Sequence, residues 1–366
     1  MKALGMILAG GNNRRMRELS SRRAIAAMPM AGSFRAVDFT LSNMSNSGIG
    51  TVAVITQYSS RSLDEHLRSS KWWDFGRKQG GLYLLNPTIT PENNDWYRGT
   101  ADAISQNLNF LYKRHEPYVV IAPGDGIYKL DYNDVIDFHS DNDADITVVC
   151  KDFPEGADVS RFGVLQTDEK GRILEWEEKP VASPFRTVST GIYVIRRRLL
   201  ISLMEQCREM EWTDLVRDVI MRQKNVMNIM AYRLDSYWTN ISTVKAYYDA
   251  NMDFLKDDVR RHFFHEYPSI QTKVDDYAPA KYNVGADVKG SLIANGVIMN
   301  GQVKDSILFR KVFVGNGTVI KNSLIFKDSY ISDGAVLEYC IVEAGVTIPA
   351  GAVHKGTPEK PLIITE

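Results

Sequence analysis

At 366 residues the chain is long enough for two domains with separate cores. Lys and Arg total 44 against 45 Asp and Glu, which argues against general attraction to nucleic acid or to an acidic membrane. Cys150, Cys207 and Cys340 are scattered and odd in number, so neither a disulfide framework nor a zinc spacing appears, and the histidines form no metal pattern. The N-terminal apolar run is too short for a signal peptide and no stretch reads as a membrane span, so the expected location is the cytoplasm.

Met1 to Leu8 reads as a buried strand, followed by Gly10-Gly11-Asn12-Asn13-Arg14-Arg15. An apolar strand ending in glycines and then cations is how an α/β protein presents a phosphate site, although an ordinary tight turn has the same look. Of the basic clusters, Arg196-Arg197-Arg198 reads as a solvated face, whereas Arg14-Arg15 and Arg22-Arg23 flank the loop. Further short buried strands are expected over 51–56, 118–122, 145–150 and 191–195, with helices over 60–68, 101–112, 212–222 and 242–255. Buried runs between helices predict a mostly parallel mixed sheet covered on both faces, a Rossmann-like α/β layout for residues 1–260. Residues 261–280 lose periodicity and contain Pro268 and Pro279, and read as a linker with His262 and His265 on its surface.

From 281 to 366 a short unit recurs, a β-branched residue, two others and then glycine. It appears as Ile293-Ala294-Asn295-Gly296, Val314-Gly315-Asn316-Gly317, Ile331-Ser332-Asp333-Gly334, Val342-Glu343-Ala344-Gly345 and Ile348-Pro349-Ala350-Gly351. This is the hexapeptide pattern of a left-handed parallel β-helix, interrupted by irregular turns; a β-sandwich is the alternative. Such coils commonly pack subunits together.

Three further stretches can carry chemistry. Asp125 follows the buried 118–122 strand past Gly124, a position suited to a Mg²⁺ ligand and equally to a turn cap. Glu178-Lys179-Pro180 offers a lysine beside a proline turn as a cation for a phosphomonoester, or simply a charged turn. Trp96-Tyr97 lead into a helix that Thr100 or Asp102 would cap, and the aromatics suit a sugar or base pocket or the core.

Together these segments resemble the bacterial glucose-1-phosphate adenylyltransferases. The matching stretches are LAGG at 8–11, FRAVDF at 34–39, ITQY at 55–58, WYRGTADA at 96–103, GD around Asp125, FGV at 162–164, EKP at 178–180, STGIYV at 189–194 and the hexapeptide repeats. The resemblance implies a nucleotidyltransferase domain and a β-helix domain assembled as a tetramer. The implied reaction is ATP plus glucose 1-phosphate giving ADP-glucose and pyrophosphate, with Mg²⁺, in glycogen biosynthesis. It implies that Gly10 and Gly11 form the nucleotide loop, that Arg15 contacts the ATP phosphates and that Asp125 holds the metal. Tyr97, Gly163, Glu178, Lys179 and Ser189 would line the sugar-phosphate pocket. Gln57 and Trp96 match positions that relay activator binding, and Arg22 a cationic position of the phosphorylated-effector site.

The departures fall where charge is needed. The family loop GGRGTRL carries Asn12 and Asn13 here, the lysine of RAKPA is Ile25, the histidine of GDHIY is Gly126, and the second metal aspartate is Asn240. A neutral amide is a poor Mg²⁺ ligand, and losing one partner of the transition-state charge costs about 3–4 kcal/mol. The expectation is a weak or silent regulatory (GlgD-type) subunit with a catalytic partner in a hetero-tetramer, binding sugar phosphate or ATP-like ligands. A competent adenylyltransferase and a non-catalytic sugar-phosphate-sensing or assembly module are the alternatives.

Overall fold

The computed structural model describes residues 2–11, 14–76, 80–88 and 95–366. The chain divides into two compact units. One comprises Met1–Gly11, Thr40–Ser60 and Trp73–Trp238; the other comprises Asn12–Phe39, Arg61–Trp72 and Thr239–Glu366.

The first unit is built on a mixed sheet. The Ala3–Leu8 strand lies at its heart, parallel to Thr51–Ile55 on one side and to Tyr118–Pro123 on the other, and Gly81–Leu85 continues the parallel set. Its residues Ala3 to Ile7 are all buried, as a strand covered on both faces requires. The long Thr187–Arg196 strand runs antiparallel to Tyr118–Pro123, Ile146–Asp152 and Gly163–Thr167, and supplies most of the antiparallel share. Ile173–Glu178 closes one edge against Gly163–Thr167, and Ile229–Arg233 pairs with Ile146–Asp152.

Several predicted elements differ in detail. The 101–112 helix is two helices, Thr100–Ser105 and Leu108–Tyr112. The break follows from Asn107, whose side-chain amide donates to the Ala103 carbonyl at 2.8 Å and to the Tyr97 hydroxyl at 2.9 Å. Residues 212–222 hold a π-helix, Leu215–Ile220, capped by Asp214, which accepts from the Val216 and Arg217 amides. Arg197 is a structural tie, its guanidinium donating to the carbonyls of Leu111 and Glu116.

In the second unit, three five-stranded parallel sheets wrap residues 281–364 into the coils of a left-handed parallel β-helix. The glycines of the five repeats, Gly296, Gly317, Gly334, Gly345 and Gly351, all sit at positive φ, so the repeat marks corners that favour glycine. Other corners use Asp305, Lys311, Asn322, Asp328 and Tyr339 at positive φ, which no sequence pattern distinguishes. Inward residues such as Val303, Ile320 and Leu337 stack from coil to coil and are almost fully buried. The outer face of the third sheet is covered within the unit: Tyr247 meets the Phe326 ring edge-on at 6.2 Å and the Tyr248 hydroxyl donates to the Asn322 carbonyl at 2.7 Å. The segment read as a linker opens with a short π-helix, Arg261–His265, in which Phe263 is buried against Phe39 and Phe254. His262 pairs there with Glu266 at 3.2 Å.

His139 provides a test of the first unit's core. It is fully buried, its Nδ1 pairs with Thr147 Oγ1 at 2.8 Å, and its ring meets Tyr118 edge-on. Burial, reinforced by nearby Arg196 and only partly opposed by Asp145 and Asp143, lowers its pKa from 6.5 to about 4. The unfolded chain therefore takes up the proton first. Stability is fully present above pH 6.5 and declines as pH falls towards 4, by at most about 3 kcal/mol. Urea unfolding from pH 7 to 4.5 should show a shallower loss in His139→Gln than in the parent chain; equal slopes would contradict this assignment.

Candidate functional site

The carboxyl ends of the central strands are tied by backbone bonds, Ala9 N–H donating to the Ile55 carbonyl at 2.8 Å and Gly124 N–H to the Leu8 carbonyl at 3.0 Å. This brings the loop after the first strand, Gln57 and the Asp125 turn to one edge, the crevice where open α/β sheets bind ligands. Gly10 lies against Gln57, where an added Cβ would stand 3.4 Å from Gln57 Cγ, whereas Gly11 is exposed with open space around it. Asn12 and Asn13 lie outside the described residues.

Gln57 forms a reciprocal pair with the loop before the Thr100–Ser105 helix. Its Oε1 accepts from the Tyr97 amide at 2.9 Å and its Nε2 donates to the Tyr97 carbonyl at 3.2 Å. Tyr58 and Trp96 stack in parallel at 5.7 Å with Trp96 well exposed, while Tyr97 is buried, which raises its phenol pKa. Gln57, Trp96 and Tyr97 thus form one cluster that reaches Gly10. Neither candidate is the cap, a position taken by Gly99 with no side-chain bond: Asp102, inside the helix, accepts from the Arg98 amide at 2.8 Å, and Thr100 Oγ1 accepts from the Leu215 amide.

Gly163, Glu178 and Lys179 also come together. Gly163 is in register with Glu178, and an added Cβ would stand 2.7 Å from Trp176 Nε1 and 2.9 Å from Glu178 Oε2. The indole N–H donates to Glu178 at 3.3 Å, and Lys179 Nζ pairs with the other carboxylate oxygen at 3.0 Å. Lys179 takes positive φ with its amide bonded to the Phe162 carbonyl, so the chain turns sharply there. Ser189 is nearly buried at an irregularity of the Thr187–Arg196 strand; its Oγ accepts from the Gly191 amide at 3.3 Å and bonds to buried Tyr193. Trp176 and Tyr193 were not singled out in the sequence, where they look like the inward residues of ordinary strands.

Asp125 is half-buried. At Gly126 an added Cβ would stand 2.9 Å from the ring of Tyr128, which is fully buried and shares a hydroxyl bond of 2.6 Å with Tyr132. The remaining positions belong to the second unit. Arg15 is exposed on a kinked 3₁₀ segment, Arg14–Ser20. Ile25 is 6% exposed in the 3₁₀ turn Ile25–Ala27, among Ala24, Ala26, Ala27 and Met28. Asn240 Oδ1 accepts from the Ser242 amide at 2.9 Å, closing an Asx turn. Among the described residues no group of three or more His, Cys, Asp or Glu converges. Asn240 is a neutral amide whose oxygen accepts from its own backbone, and in place of a carboxylate it does not fit the charged oxygen set that Mg²⁺ takes.

The second unit has a cavity of about 370 Å³ lined by Arg23, Arg35, Lys273, Arg310, Lys311 and Lys327, with His66, Glu65, Asp275 and Asp328. Its lining cations outnumber its lining carboxylates, a balance that suits an anion. Arg22 is not among the lining residues; it is exposed and reaches the Thr365 carbonyl at 3.4 Å, and its neighbour Arg23 takes the place in the wall. The Arg22-Arg23 cluster and nearby Arg35 are the part of this site that lies together in the sequence; Lys273, Arg310, Lys311 and Lys327 are brought to it from the far end of the chain.

The sheet with its carboxyl-edge cluster and the following β-helix define a nucleotidyl transferase with a hexapeptide extension. The nucleotidyl transferase family profile matches residues 4–257, and that of the GlmU-like, C-terminal hexapeptide matches 278–357. Glucose-1-phosphate adenylyltransferases are similar along most of their length: that of Clostridium acetobutylicum is 38% identical over 87% of this chain and 84% of its own, and that of Thermotoga maritima 37% over 87% and 76%. That of Mycoplasma mobile is 35% identical over 87% and 84%. The chain belongs to the glucose-1-phosphate adenylyltransferase family. No described helix is long and apolar enough to cross a membrane.

Gly163→Ala tests the Trp176–Glu178 contact. The new methyl must displace the indole or the carboxylate, which should cost about 1–3 kcal/mol and shift the tryptophan fluorescence. Urea unfolding followed by fluorescence would show this; unchanged spectrum and stability would refute the close approach.

Proposed function

We propose that this chain is a subunit of a glucose-1-phosphate adenylyltransferase acting in glycogen biosynthesis, catalytically weak or silent alone, that raises the activity or effector response of a catalytic partner in a mixed tetramer. The observation that carries this reading is Ile25. Where the family has a phosphate-facing lysine, this chain has an aliphatic side chain packed into an apolar turn, so the lost charge has been absorbed into the core. Asn240, turned onto its own backbone, supports the same conclusion on the metal side.

The sugar-phosphate side keeps its chemistry. Lys179 supplies a point cation beside the Glu178 carboxylate, and Tyr97 and Ser189 match the family's sugar-phosphate positions in sequence. In the family reaction a phosphate oxygen of glucose 1-phosphate attacks the α-phosphorus of ATP, and the protein's contribution is to orient and neutralise charge. Glu178, Lys179 and Ser189 would hold the sugar phosphate; the nucleotide side lacks the lysine and aspartate charges in whose places Ile25 and Asn240 stand. The cationic cavity is the effector site in this reading, and the Gln57–Tyr97 pair the link by which it affects the nucleotide loop. Coupling of this kind is a differential affinity between two states of the assembly.

Pyrophosphate release from ATP, glucose 1-phosphate and Mg²⁺ should be at least a hundredfold slower for this chain alone than for its partner, and mixing should raise turnover or effector sensitivity above the partner's own. Robust turnover by this chain alone would overturn the proposal, and no change on mixing would favour a pure assembly module. A second test restores charge: Ile25→Lys with Asn240→Asp, Asn12→Arg and Asn13→Gly should raise the turnover of the chain alone by tenfold or more. Circular dichroism would check that the variant folds; unchanged turnover in a folded variant would mean that the block lies elsewhere.

A further inference from the structure

In four of the five glycine-cornered repeats the residue after the β-branched position is small or proline: Ala294, Gly315, Ser332 and Pro349. The remaining repeat has Glu343. The ladder of the third sheet places Phe326 and Glu343 on successive coils, with the Phe326 amide bonded to the Val342 carbonyl and the Glu343 amide to the Ile364 carbonyl. Glu343 is fully buried. A buried carboxylate persists only with strong partners. Here the Ala344 amide donates to Oε1 at 2.7 Å, and Arg23 donates through both Nη atoms, at 2.5 Å to Oε1 and 3.1 Å to Oε2. Arg23 also lies over the Phe326 ring at 5.6 Å and is one wall of the cationic cavity, which Glu343 does not line.

We propose that Glu343 is a built-in counter-ion that competes with the anionic ligand of this cavity for Arg23, and so sets how much anion is needed to fill it. The inference rests on the effector-site reading above. A guanidinium fork accepts a carboxylate or a phosphate in the same bidentate way, so a phosphate in the cavity and Glu343 seek the same donors. Of the cavity's other pairs, Arg310 with Asp275 and both Lys311 and Lys327 with Asp328 are more exposed and more strongly screened by water and salt, whereas His66 with Asp38 is as deeply buried but carries charge on both partners only when the imidazole is protonated. Among the Arg and Lys pairs at the cavity, Arg23–Glu343 is the most deeply buried and so the least screened. Removing the carboxylate adds a net positive charge beside the ligand and leaves Arg23 without its counter-charge until an anion arrives. Both effects favour binding.

The test is calorimetric titration of the full chain with inorganic phosphate at fixed ionic strength, with thermal unfolding alongside. Glu343→Gln should bind phosphate at least tenfold more tightly than the parent and show a lower melting temperature that phosphate raises by more than in the parent. Adding Arg23→Gln, or Lys273→Gln with Lys327→Gln, should abolish the gain. An affinity that is unchanged or weaker in Glu343→Gln, or a gain that survives Arg23→Gln, overturns the proposal. If parent binding is lost in the double lysine variant while Glu343→Gln matches the parent, the effector-site reading stands and the role of Glu343 falls. If neither protein binds phosphate, both fall. Should Glu343→Gln not fold, Glu343→Asp, whose shorter carboxylate weakens the fork, should show a smaller gain of the same sign; no gain there has the same overturning force.

Discussion

The two backbone bonds that join three strand ends, Ala9 to Ile55 and Gly124 to Leu8, fix the working edge of the first unit. Because the Ala3–Leu8 strand is parallel to both neighbours, its end, Gln57 and the Asp125 turn must emerge on the same side of the sheet. Everything assigned to the nucleotide loop and its relay depends on that shared edge. Gly10 lies beside Gln57, and the side-chain amide of Gln57 is held at both its oxygen and its nitrogen by the backbone of Tyr97. Two hydrogen bonds thus tie the loop that carries the exposed Trp96 to Gln57, which lies beside Gly10.

Much of this was legible in the sequence, for reasons that differ by element. Strands buried on both faces read as continuous apolar runs, and the glycine corners of the coils read as repeats because positive φ favours one residue type. Strand direction was not legible, since the Thr187–Arg196 strand has the same apolar run whether it pairs parallel or antiparallel. The break at Asn107 was hidden because it depends on a hydrogen bond to Tyr97, ten residues earlier. In the site, Glu178 and Lys179 were visible as neighbours in sequence. Trp176 and Tyr193 were not, because their role comes from strand register. The cavity's cations are drawn from residue 23 to residue 327, and only folding brings them together.

The division of the chain sharpens the picture of what has been lost. Tyr97, Gly163, Glu178, Lys179 and Ser189 all belong to the first unit, as does Asp125. Ile25 and Asn240 belong to the unit that holds the coils and the cationic cavity. Ile25 is there a buried core side chain and Asn240 closes a turn, while Gly126, a further departure from the family pattern, lies in the first unit.

The stacked coils have an evolutionary corollary. In a parallel β-helix each rung of an outer column comes from a separate coil, and each coil touches chiefly the coils above and below it. Replacing one rung, as Glu343 follows Phe309 and Phe326 on the same face, alters the charge presented to Arg23 while leaving the aliphatic stack inside untouched. The threshold of the cavity can thus drift between lineages by single substitutions, one storey at a time, without the fold having to be renegotiated.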